Sequence, residues 1–111
     1  MKRNPVPHPY SNRAVGRRVA AFREGLNLTQ KDIAEKYGSE GDGQMWSHYE
    51  TGRSEFPLEI AHQLSLEYGL DIAWIYQGRM DLIVGKPVAE IIARGQAKIA
   101  MGRKRGPKPK R

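Results

Sequence analysis

At 111 residues the chain has room for one small domain around a single core. It has no cysteine, which excludes a disulfide framework, a thiolate zinc site and a cysteine nucleophile, and fits a reducing cytosol. A net charge of +7 points to a polyanionic partner, and it is distributed by segment: Met1 to Arg18 holds five bases and no acid, Arg94 to Arg111 holds eight and no acid, and Val19 to Ala93 holds all 12 acids with the remaining six bases. Any electrostatic grip on nucleic acid must therefore come largely from the two ends. No apolar run reaches the roughly 18 to 20 residues of a bilayer span, and the opening "MKRNPVPHPYSNR" is basic without the apolar stretch of a signal peptide. A cytoplasmic protein with no membrane partner is expected.

Val15, Val19, Phe22 and Leu26 recur at spacings of four, three and four, which predicts a first helix from near Ser11-Asn12 with Gly25 as its stop. In "LTQKDIAEKYG" Thr29 caps a second helix, Asp32 stands where a capping-box acid would, and Leu28 and Ile33 form the staple across the cap. Ile33, Ala34 and Tyr37 face inward and Gly38 ends the helix. A flexible acidic turn, "GSEGDG", leads into "QMWSHYETGR". As a helix from about Gly43 to Thr51, this stretch sets Trp46 and Tyr49 on a buried face and Gln44, Ser47, His48 and Thr51 on the other.

Pro57 is predicted to open a fourth helix, with Ile60, Ala61, Leu64 and Tyr68 inward and Gly69 as the stop. Asp71 caps a fifth that carries Ile72, Trp74 and Ile75 and closes at Gly78. The segment "MDLIV" fits more than one state. Residues 87–101 read as a sixth helix with Val88, Ile91, Ile92 and Ile99 on one side, either contacting a second copy or packing back on helix five. The end, "GRKRGPKPKR", is too poor in apolar residues to fold and reads as a disordered basic tail.

The punctuation "LTQKDIAEKYG", then "SHYETGR", then a proline and "LEIAHQLSLEYGLDIAWIYQG" resembles the helix-turn-helix domain of the Cro and phage-repressor type, also called the xenobiotic-response-element (XRE) type, over about Ala14 to Gly78. The resemblance implies an all-α fold, a five-helix lambda-repressor-like DNA-binding bundle, extended here by a C-terminal helix and the disordered basic tail. It also implies a transcriptional regulator without enzymatic activity, usually a homodimer on a palindromic operator. Carried over by position, Gln30 touches a phosphate and braces the first residues of the recognition helix. Gln44 and His48 read base edges in the major groove, and Met45 and Ser47 between them contact a thymine methyl or the backbone. Arg53 stands against phosphate. Two departures stand out. Thr29 to Glu50 spans 21 positions, about two more than the family pattern, with Glu40 and Asp42 in the longer turn; and Trp46 fills a place usually held by a smaller aliphatic residue, which would hold the helix further from the bundle.

Elementary chemistry gives the same roles a basis. A glutamine amide matches adenine N6 and N7, a bidentate pairing worth about 1 to 3 kcal/mol of discrimination, and histidine can donate to guanine. Arg17, Arg18 and Arg53, with Thr29, Gln30 and Thr51, are the expected phosphate contacts, and Arg103, Lys104, Arg105, Lys108, Lys110 and Arg111 act as a diffuse electrostatic tail. The tail's Arg105-Gly106-Pro107 lacks the second arginine of an AT-hook, which favours nonspecific attraction over minor-groove insertion. His8, His48 and His62 lack metal-ligand spacing, so no metal and no cofactor is expected. Ser47 and His48 are helix neighbours pointing about 100° apart, so they form no nucleophile-base pair.

The expected organisation is a basic arm over residues 1–12, a DNA-binding domain over 13–78, a C-terminal extension over 79–101 that is helical and dimer-forming, and the tail over 102–111. The function read from these residues is sequence-specific recognition of double-stranded DNA by a repressor acting as a homodimer. The alternative is a protein-interaction module, such as an antitoxin or a regulator's partner, whose acidic middle binds another protein.

Overall fold

The computed structural model describes residues 8–37, 43–79 and 86–105, giving only the helical course at Lys86 and residues 103–105. The expected turn at 38–42, the "MDLIV" segment, most of the basic arm and residues 106–111 lie outside these ranges. Six helices and no strand occur among the described residues: α1 (Asn12–Gly25), α2 (Gln30–Lys36), α3 (Gln44–Thr51), α4 (Leu58–Tyr68), α5 (Ile72–Gln77) and α6 (Lys86–Arg105).

Local chemistry sets the starts of these helices. Ser11, in extended conformation, accepts from the Ala14 amide at 3.1 Å and caps α1. The predicted capping box of α2 is complete, with the Asp32 amide donating to Thr29 Oγ1 at 3.0 Å and the Thr29 amide donating to Asp32 Oδ2 at 3.3 Å. Asp71 caps α5 through the Ala73 amide at 2.7 Å. Pro57 precedes α4 as its cap rather than serving as its first residue.

The core is one cluster. Trp46, Phe22, Ile33, Leu64, Leu70, Ile75 and Ile92 are its largest fully buried side chains, with Val15, Val19, Ala61 and Trp74 between them. Each predicted inward stripe of α1 to α5 supplies it, as alternating spacings of three and four require.

Of the two expectations for this segment, packing within the chain is what is seen, but on α1 rather than on helix five: α6 lies against α1, with Val88 and Ile92 buried in this chain's own core and Ile91 partly buried beside them. A methyl group at Gly25 would collide with the Ile91 carbonyl, and one at Gly95 with the Ala21 carbonyl. The two backbones meet because both positions lack a side chain. Gly25 is thus a packing residue; the left-handed turn after α1 is made by Asn27, at φ 64°. Arg94 Nε donates to the Gly25 carbonyl at 3.0 Å and Lys98 Nζ to the Glu24 carbonyl at 3.0 Å, so α6 also satisfies the free end of α1. The helix then runs on to Arg105, beyond the boundary at Met101 where the tail was expected to begin.

Candidate nucleic-acid interface

α3 is oriented by its buried aromatics. Trp46 packs edge-to-face on Tyr49 and Phe56 at centroid distances of 5.7 and 5.6 Å, and Tyr49 on Phe56 at 5.6 Å. With that face turned inward, Gln44, Met45 and Thr51 are exposed, and Ser47 and His48 are half-buried at the rim. Trp46 does not hold α3 away from the bundle, as its size suggested. Trp46 is fully buried, and Gly16 of α1 lies so close to the Tyr49 and Glu50 carbonyls that a methyl group there would clash, so α1 and the end of α3 meet backbone to backbone.

Below the exposed face sits a buried ion pair. Arg23 Nε donates to Glu50 Oε2 at 2.6 Å and Nη2 to Glu50 Oε1 at 3.1 Å, with the side chains 10% and 7% exposed. Arg23 Nη1 reaches the Leu28 carbonyl at 2.8 Å, and Nη2 also reaches Glu24 at 3.1 Å. The remaining lone pairs of Glu50 take Gln30 Nε2 and Trp46 Nε1, each at 2.9 Å. Burial works against the Arg23 charge, but Glu50 and Glu24 outweigh it and raise its pKa. One carboxylate therefore joins α1, α2 and α3. Sequence reading missed this network, although Arg23, four residues after Val19, falls on the stripe that faces the core.

Gln30 corrects a second expectation: its amide braces the last turn of α3 through Glu50, not the first residues of that helix. The start of α3 is held instead by Gly43 at φ 98°, where a side chain would press on Gln30 and the Lys31 amide at 3.0 to 3.1 Å. At the other end, Thr51 Oγ1 donates to the Ser47 carbonyl at 3.0 Å, and Arg53 Nη1 lies 3.4 Å from His48 Nε2. Behind the pair, α2 is tied to α4 by Tyr37 Oη donating to Glu67 at 2.6 Å and Lys36 donating to it at 3.2 Å, contacts that hold the Glu67 carboxyl below its ordinary range.

The other predicted phosphate residues separate. Arg17 is exposed on α1, and the Thr29 side chain is occupied by the α2 cap. Arg18 Nη1 and Nη2 donate to the Ile75 and Pro9 carbonyls, both at 2.6 Å, which ties α1 to α5 and the arm. Arg103, Lys104 and Arg105 lie on the helical course of α6; Lys108, Lys110 and Arg111 lie outside the described residues. Among the described residues no group of three or more metal-ligating side chains comes together, and no helix is long and apolar enough to cross a membrane.

Compared with known proteins, residues 16–79 match the family described as helix-turn-helix domain, and that span covers more than half of the chain. No curated protein and no solved structure matches it. With a capped α2, an outward-facing α3 and a helical bundle behind them, the chain belongs to the helix-turn-helix domain family in its XRE-type branch and is a DNA-binding regulator.

Proposed function

We propose that the protein is a sequence-specific repressor that lays α3 in the major groove of double-stranded DNA. The observation that carries this reading is the division of α3: Trp46 and Tyr49 are buried in the aromatic cluster while Gln44 and Met45, at the start of the helix, are exposed. Gln44 and His48 read base edges, and Met45 and Ser47 contact a thymine methyl or the adjoining backbone. Arg17, Arg53, Thr51, Gln30 and Thr29 face phosphate. Arg18 is better assigned to holding the arm and α5, because two of its nitrogens already donate to carbonyls. The basic tail adds nonspecific attraction.

A recognition helix of eight residues reads a short half-site, which favours a homodimer that sets two copies of α3 about 34 Å apart on one DNA face. With Val88 and Ile92 packed inside the chain, the exposed Leu58 and Leu66 of α4 are, among the described residues, aliphatic side chains available for such a contact. Repression needs no more than occupancy of the operator.

The test is selection of bound sequences from a random duplex pool with the wild type and with Gln44→Ala/His48→Ala. A palindromic motif that degrades in the double variant is the expected outcome. Recovery of no motif, with binding that vanishes at moderate salt, would overturn sequence reading and turn attention to a protein partner for the acidic middle.

A further inference from the structure

α6 lies outside the matched helix-turn-helix span, yet its second half reaches that unit's candidate DNA face. A groove of about 810 Å³ runs beside α1, with Arg17 and Ala20 on its floor, Gln30 and Thr51 on one wall and Gln96 and Ile99 of α6 on the other. Lys98 stands at its mouth, in a second depression shared with Asn27, Thr29 and Gln30. From there α6 continues through Arg103-Lys104-Arg105.

We infer that α6 is a second DNA-contacting element, a rail that holds one sugar-phosphate strand in the groove between itself and α1 as the strand passes Gln30 and Thr51. This rests on the reading of α3 as the major-groove helix and extends the contact past the family unit. Charge complementarity selects the occupant. The groove lining carries Arg17, Arg18 and Arg23 against Glu24 and Glu50, one net positive charge; Glu50 is buried beneath Arg23, Gln30 and Trp46, Glu24 is 35% exposed beside Arg23, and Lys98 adds a further positive charge in the adjoining depression. Lys98 Nζ touches the Glu24 carbonyl and Asn27 Oδ1, which fix it at the mouth without neutralising it. From Arg94 onward the chain has no acid at all, so its own basic end is a poor occupant of a basic groove, whereas a phosphate strand is a good one. The aliphatic lining from Ala20, Ile99 and Ala100 suits the deoxyribose between phosphates. Continuity supplies the second argument: Gln30 and Thr51 belong both to this groove and to the proposed phosphate contacts.

The experiment measures duplex affinity against salt for the full chain, for Lys98→Gln and for Lys98→Arg, with hydroxyl-radical footprints on the selected sequence. Lys98→Gln should show a salt slope shallower by about 0.9, for one phosphate no longer neutralised. Its preference for the selected sequence over random duplex should be kept, and protection on the flanking backbone should weaken. Lys98→Arg, which keeps the charge, should retain the wild-type slope; this separates phosphate binding from the structural role of Lys98 at the end of α1. An unchanged slope and footprint in Lys98→Gln, with Gln44→Ala/His48→Ala still abolishing preference, overturns the rail and leaves the α3 reading standing. Absence of salt-dependent duplex binding by the wild type overturns both.

Discussion

At the scale of single residues, Glu50 carries the most connections for its size. Its two oxygens receive four donors from Arg23, Gln30 and Trp46, and it is the point at which three helices share one charge. Glu50→Ala leaves the Arg23 guanidinium with only Glu24 and the Leu28 carbonyl and takes the acceptor from Gln30 and Trp46, and should cost about 2 to 3 kcal/mol in denaturant unfolding. Replacing both partners with apolar residues, Arg23→Met with Glu50→Leu, should recover most of that loss; a double variant as unstable as the single one would show that the four-donor geometry, rather than the buried charge, is what matters. Tyr76 gives a pH signature. Its hydroxyl donates to the Phe56 carbonyl at 2.8 Å, and burial first, then the nearby Glu55 charge, push its pKa from 10.0 up to about 12. The folded state therefore holds this proton more tightly than the unfolded chain, so the stabilisation is complete below pH 10 and is lost as pH rises towards 12. Tyr76→Phe should lower stability at neutral pH by about 1 kcal/mol, the net contribution of one hydrogen bond. Its thermal melts should then fall less steeply than wild type between pH 10 and 12.

At the scale of helices, what was legible in the sequence was whatever local rules govern. The spacing of Val15, Val19 and Phe22, the Thr29 and Asp32 box, the Asp71 cap and the aromatic face of α3 each follow from neighbours a few positions away, and each is where it was expected. Contacts between helices were not legible, because they depend on shape at distant positions. Gly25 looked like a stop, but with Gly95 it lets α1 and α6 touch through their backbones. Trp46 looked too large for its place because the close approach of α1 to the end of α3 is made at Gly16, 30 positions earlier. Gly95→Leu tests the packing of α6. It should drive α6 off α1 and remove the burial of Val88 and Ile92, a loss of about 3 to 6 kcal/mol at roughly 1.5 to 3 each. Hydrogen exchange should accelerate throughout α6 and at the last turn of α1 while α2 and α3 keep their protection; uniform acceleration would mean that the bundle cannot stand without α6.

At the scale of the molecule, the exposed face of α3 and its support are built from different parts of the chain. The angle of α3 is set by Glu50 below, Gly43 at its start and Gly16 behind, so substitutions away from the proposed base-reading residues should shift that face. The charge follows the same division, with an acid-rich bundle and basic ends, one of which α6 carries to the edge of the candidate interface. The finish of α1 has a further consequence. The Gly25 and Glu24 carbonyls there are bonded by Arg94 and Lys98, which stand 69 and 74 positions later in the chain. In a nascent chain that has not yet reached α6 the Gly25 carbonyl is left to water, while the Glu24 carbonyl already accepts from the Asn27 amide at 3.0 Å, so the last bond at the end of α1 waits on translation of α6.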